Sequence, residues 1–156
     1  GWALATSSQV NVLDTIGNIF AITGVQLEVG NTPTPFEHRP FGVELSMCQR
    51  YYEKSFPYAT APAQNVGASL GAAYATGQVL NQTFSSLVKF AVAKRAAPTI
   101  TTYAPDAASA NWTTITGVTP TATTANIGDS AFAVVGSVAV TAGASYSIHW
   151  QASAEL

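Results

Sequence analysis

Period-two alternation of apolar residues, cut every few positions by glycine or proline, runs through most of this chain and leaves little room for helices. Tyr146, Ile148 and Trp150 alternate with Ser147, His149 and Gln151. Val88, Phe90 and Val92 alternate with Lys89, Ala91 and Ala93. Successive side chains of a strand point to opposite faces, so this pattern marks half-buried strands. Pro98 and Pro105 bracket a Thr-rich run from Thr99 to Tyr103, and Trp112, Thr114 and Thr116 share one face of the next. Phe132 and Val134, then Val138 and Val140, predict a hairpin around Gly136-Ser137. Short strands with such turns argue for an antiparallel β-sandwich or jelly roll over 56–156.

The first 31 residues also alternate: Val10 and Val12, Phe20 and Ile22, then Val25, Leu27 and Val29 after Gly24. Gly24 suggests a bulge or bend. Thirty residues of strand make a poor domain alone, and are expected to close a sandwich whose other strands lie elsewhere. The abrupt start at Gly1-Trp2 fits a piece of a longer polypeptide. Pro33 and Pro35 then favour an extended linker, which with one short helix forms a second region, 32–55. Pro40 suits a first helical turn. Phe41, Leu45, Cys48 and Tyr52, spaced 4, 3, 4, share one face of a helix near 41–52.

Charge is scarce. The 156 residues carry 6 Lys+Arg and 8 Asp+Glu, a charged fraction of 9% and a net charge of −2. With 27 Ala, 19 Thr and 13 Ser, hydroxyls and methyls must cover much of the surface. A basic nucleic-acid footprint is excluded, and no apolar run nears the ~20 residues of a membrane-spanning helix. One cysteine, Cys48, excludes an internal disulfide. Two distant histidines, His38 and His149, with scattered acids give no metal-ligand spacing, so neither metal nor cofactor is expected.

Three segments carry a resemblance. The first reads Gln26-Leu27-Glu28-Val29-Gly30, then Pro35-Phe36-Glu37-His38-Arg39-Pro40, then Cys48-Gln49-Arg50-Tyr51-Tyr52. The second is Lys94-Arg95-Ala96-Ala97-Pro98-Thr99-Ile100, and the third is His149-Trp150-Gln151-Ala152-Ser153-Ala154-Glu155-Leu156. Together they resemble the C-terminal receptor-binding region of bacteriophage tail fibres from phages of Gram-negative hosts. The resemblance spans about Gly24 to Leu156. It implies a homotrimer at the fibre tip and a bacterial surface polysaccharide or lipopolysaccharide as partner. It further implies attachment to other tail or baseplate proteins through a preceding region, and a place in the virion after assembly in the host cytoplasm. Low charge agrees with a large obligate interface. Three copies of Phe41, Leu45, Cys48 and Tyr52 are expected around the trimer axis. The alternative is that this face packs on its own chain.

For a sugar platform, Tyr103, Asp106, Asn111 and Trp112 supply two rings and two polar acceptors within ten positions. The simpler role for Trp112 and Tyr103 is filling the core. Glu37-His38-Arg39 suggests a structural clasp, and His149 a polar strand position facing away from the apolar side. A glycosidase needs two carboxyls flanking the scissile bond, and beyond Glu53 the chain offers Asp106, Asp129 and Glu155. The expectation is therefore a non-enzymatic glycan-binding tip. A purely structural trimerisation segment is the alternative, and a capsule depolymerase a weaker one.

Overall fold

The last alternating run becomes the hub of the fold. The structure, a computed structural model, describes residues 16, 19, 21–67, 71–77, 83–114, 119–137 and 142–155. The chain divides into two compact units, Gly1–Arg39 and Pro40–Leu156. The second is mainly β. Its elements are α1 (Phe41–Gln49), β1 (Tyr52–Lys54), β2 (Ala73–Thr76), β3 (Phe84–Lys89), β4 (Thr99–Tyr103), β5 (Thr121–Ala125), β6 (Ala131–Ser137) and β7 (Ser145–Ser153).

Strand β7 pairs antiparallel with β1, β2 and β4. Both β1 and β4 pair with Gln151–Ser153, so they flank opposite edges of the hub. A second antiparallel sheet has the order β3-β6-β5. The two sheets share one buried cluster. Tyr146, Ile148, Trp150 and Ala152 come from alternate positions of β7, Phe132 and Val134 from β6, and Val88 from β3. Phe90 stacks on Phe132 at 5.5 Å, and Trp150 meets that ring edge-on at 5.4 Å. The apolar phase of β7 is thus the one its alternation predicts.

Four expectations are corrected. Of the run Val88, Phe90 and Val92, only Val88 is in a strand, and Phe90 and Val92 follow the end of β3 at Lys89. Gly136 and Ser137 do not turn a hairpin. Both belong to β6, where Gly136 pairs with Phe84 and Ala122. A Cβ on Gly136 would run into the Phe84 ring. The glycine therefore makes room for an aromatic ring, and Val138 and Val140 lie outside the described residues. Trp112 and Thr114 are not on a regular strand. Thr113 makes a single bridge to Ser147, and Thr116 lies outside the described residues. The helix stops at Gln49. Tyr51 N–H bonds Cys48 O to close its last turn, and Tyr52 then pairs with Ser153. A tyrosine on a sheet edge gains cross-strand contacts that a frayed helix end cannot supply. The proposed seam loses Tyr52 to β1, while Phe41 is 77% exposed and Leu45 half-buried.

A buried charge ties the helix to the sheets. The Lys94 side chain has 0% exposure. Its ammonium donates to Glu53 Oε2 at 2.5 Å, to Gln49 O at 2.6 Å and to Val92 O at 3.2 Å, and lies 4.5 Å from the Phe90 ring centre. Glu53 also accepts the Ala91 N–H. One lysine therefore satisfies an orphan carbonyl at the helix C-terminus and fixes the loop after β3. Arg95 N–H bonds Arg50 O, its guanidinium lies over the Tyr51 ring, and Ala154 N–H bonds Tyr51 O. The segments 48–52, 94–100 and 149–154, which look unrelated in sequence, meet here.

In the first unit, residues 21–29 carry no strand pairing. Val25, Leu27 and Val29, expected on the buried side of a strand, are all open to solvent, since an alternating segment with no ladder to join has no face to bury. Val10 and Val12 lie outside the described residues. The Thr/Pro segment is not a free spacer. Glu28 accepts both the Thr34 N–H, at 2.6 Å, and its hydroxyl, at 2.5 Å. Gln26 Nε2 donates to Glu28, while Gln26 Oε1 takes the Glu37 N–H at 2.9 Å. Hydrogen bonds from Thr34 hold the Glu28 carboxyl below the usual range, and the Arg39 ion pair does the same for Glu37. The clasp expected at Glu37 and Arg39 is thus part of a larger one that starts at Gln26.

Candidate functional site

Antiparallel partners share a face, so the register sorts the first sheet into two surfaces. The core side carries Ile148, Trp150 and Ala152 with Ile100. The outer side carries His149, Gln151 and Ser153 of β7, Tyr52 and Lys54 of β1, and Thr99, Thr101 and Tyr103 of β4. Strands lie ~4.8 Å apart and rise ~3.4 Å per residue, so this face measures roughly 10 Å across and 14 Å along.

One end of the outer face is covered. His149 has 0% exposure. Phe56 stacks on its ring at 4.3 Å, and Tyr103 meets Phe56 edge-on at 5.5 Å. Ser55 Oγ sits 2.9 Å from His149 Nδ1 and accepts the Trp150 N–H at 2.9 Å. Burial holds the His149 pKa below its usual value, against a backbone hydrogen bond with Gly67 that raises it. His149 thus faces as its alternation predicts, but it is not a solvated position. A serine beside a histidine suggests a nucleophile and its base. Here the hydroxyl is engaged with the β7 backbone and the imidazole lies under Phe56, so the pair locks the loop after β1 onto the sheet.

The rest of the face is open. Thr99 and Thr101 are exposed, and Tyr103, Gln151 and Ser153 are half-buried. Tyr52, 37% exposed, donates its hydroxyl to Gln151 Oε1 at 3.0 Å. That bond turns the amide so that its NH₂ group remains to serve a ligand. Burial raises the Tyr52 pKa, with a smaller contribution from Tyr103, and burial raises that of Tyr103. Both phenols therefore stay protonated donors at neutral pH. Beside Tyr52, a groove of about 320 Å³ runs between α1 and β1, lined by Leu45, Cys48 and Tyr58 among others.

Of the four residues expected to form a sugar platform, Tyr103 is on this face. Trp112 is not. It has 0% exposure, belongs to the core cluster and meets Phe84 edge-on at 5.1 Å. An alternating register cannot place Trp112 without knowing that its strand is a single bridge. Asp106 is exposed on the loop after β4, and Asn111 Oδ1 accepts the Ala122 N–H at 3.5 Å. Asn111 thereby fastens that loop to the second sheet.

No family model, curated protein or solved structure matches the chain. Thr99, Thr101, Gln151 and Ser153 were not among the expected site residues. The signal that finds them is the polar phase of β7, His149-x-Gln151-x-Ser153, read together with its register against β4.

Proposed function

We propose that this chain is the receptor-binding tip of a bacteriophage tail fibre. It acts as a homotrimer and binds a bacterial surface polysaccharide or lipopolysaccharide without cleaving it. Its two sheets form the jelly-roll-like sandwich of the tip. The observation that carries this reading is the open outer face of the first sheet, where Tyr52, Tyr103, Gln151, Thr99 and Thr101 combine ring surfaces with hydroxyl and amide groups. Sugars need that combination, an apolar surface for C–H groups and a few oriented donors and acceptors. The meeting of 48–52, 94–100 and 149–154, parts of the three resembling segments, around Lys94 supports a common design for the second unit. Binding of the labelled chain to host-type polysaccharide tests the proposal. Gln151→Ala and Thr101→Ala should each weaken retention several-fold while the circular-dichroism spectrum stays unchanged.

A second reading, a segment that only registers the trimer, is favoured by the helix. Its Phe41, Val43 and Met47 are 77%, 50% and 43% exposed, and a helix apolar on several sides is usually covered. A chain that forms trimers yet ignores every polysaccharide would support that reading over the first.

A further inference from the structure

We propose that the outer face of the first sheet selects an uncharged glycan and discriminates against acidic polysaccharides. This rests on the glycan-binding reading and adds the chemical class of its ligand.

Charge placement carries the inference. From Ala96 onward the chain holds no Lys or Arg, so neither β4 nor β7 brings a cation to the face. The one charged residue in its register is Lys54 of β1, opposite Gln151. Two of the three donors of the Lys54 ammonium are already taken, by Thr60 O at 2.6 Å and Tyr58 O at 3.1 Å. Of the other cations, Lys89 lies on β3 of the second sheet, Arg50 lines a groove with Met47 and Val92, Lys94 is buried against Glu53, Arg39 pairs with Glu37, and Arg95 lies over Tyr51. Carboxylate and phosphate groups are recognised by guanidinium or ammonium donors. A face of phenols, hydroxyls and one amide cannot repay the desolvation of an anion, and the net charge of −2 adds weak repulsion. The same groups suit neutral sugars, because each donates or accepts a single hydrogen bond to a hydroxyl.

Thr101, midway along β4 opposite Gln151 and exposed, is the position for a charge test. The wild-type chain, Thr101→Lys and Thr101→Glu are applied to an array holding neutral and acidic bacterial oligosaccharides. Retention should be confined to neutral members. Their affinity should change less than about 2-fold between about 0.1 M and 1 M salt, over which the screening length falls from ~10 to ~3 Å. The Lys and Glu variants should lose neutral binding by similar factors. Preferential retention of acidic glycans by the wild type, strengthened in Thr101→Lys and abolished in Thr101→Glu, overturns the inference but leaves glycan binding standing. Retention of no glycan of either class overturns both.

Discussion

Removing the carboxylate beside Lys94 should damage this protein more than removing the lysine itself. Lys94 has no solvent access, and three acceptors surround its ammonium: Glu53 Oε2, Gln49 O and Val92 O. In Glu53→Gln the ammonium stays buried with carbonyl acceptors but no counter-charge. Breaking a buried pair from one side costs about 3–5 kcal/mol. The remaining carbonyls and the glutamine oxygen place this case at the lower end, about 3 kcal/mol. Lys94→Met removes the charge while keeping most of the volume. It leaves Glu53 with 13% exposure and the Ala91 N–H, so the carboxylate can still be solvated. The lost bonds to Gln49 O and Val92 O set its cost at about 1–2 kcal/mol. The double variant, with neither charge, should be about 1 kcal/mol more stable than Glu53→Gln alone. Urea unfolding followed by tryptophan fluorescence reads this directly, since Trp112 and Trp150 both lie in the core cluster. A Glu53→Gln loss below about 1 kcal/mol, or a double variant as unstable as the sum of the singles, refutes the reasoning.

Trp112→Ala should lower stability by about 3–5 kcal/mol, as a core deletion; a folded variant that loses only glycan affinity would return Trp112 to the surface. Gly136→Ala should cost about 1–3 kcal/mol by overpacking against Phe84, and pairing it with Phe84→Leu should recover part of that loss in thermal melts. His149 supplies a pH dependence. Its pKa is lowered in the fold by burial, so the unfolded chain takes up the proton first. Its contribution is complete above about pH 6.5 and is lost as pH falls through the lowered value. Stability of the wild type should therefore decline between about pH 7 and 5 in a way that His149→Gln does not. Identical pH profiles for the two proteins would contradict this.

Two of the four strands of the first sheet, β7 and β4, were legible in the sequence, because alternation in Tyr146–Trp150 and the Thr99–Tyr103 run depends on local pattern alone. Strands β2 and β5 were not. Ala73–Thr76 and Thr121–Ala125 consist of alanines and hydroxyl-bearing residues, and so little apolar contrast leaves no periodic signal. The helix end was misplaced because Tyr52 fits the apolar helical spacing, and only the partner Ser153, a hundred positions away, pulls it into a strand. The burial of His149 depends on Phe56, ninety-three positions distant, which strand phase cannot reveal. The candidate site shares this character. Its β7 members follow from one alternating run, whereas its β1 and β4 members follow only from register.

Hydrogen–deuterium exchange of the chain, with and without an oligosaccharide that it retains, tests the central claim most directly. Bound sugar should slow exchange in the segments 99–103 and 149–153 and leave α1 and the outer strands β3 and β5 unchanged. Protection confined to the loop around Asp106 or to the helix, with 99–103 and 149–153 unaffected, would contradict the assignment of the outer face of the first sheet as the binding surface.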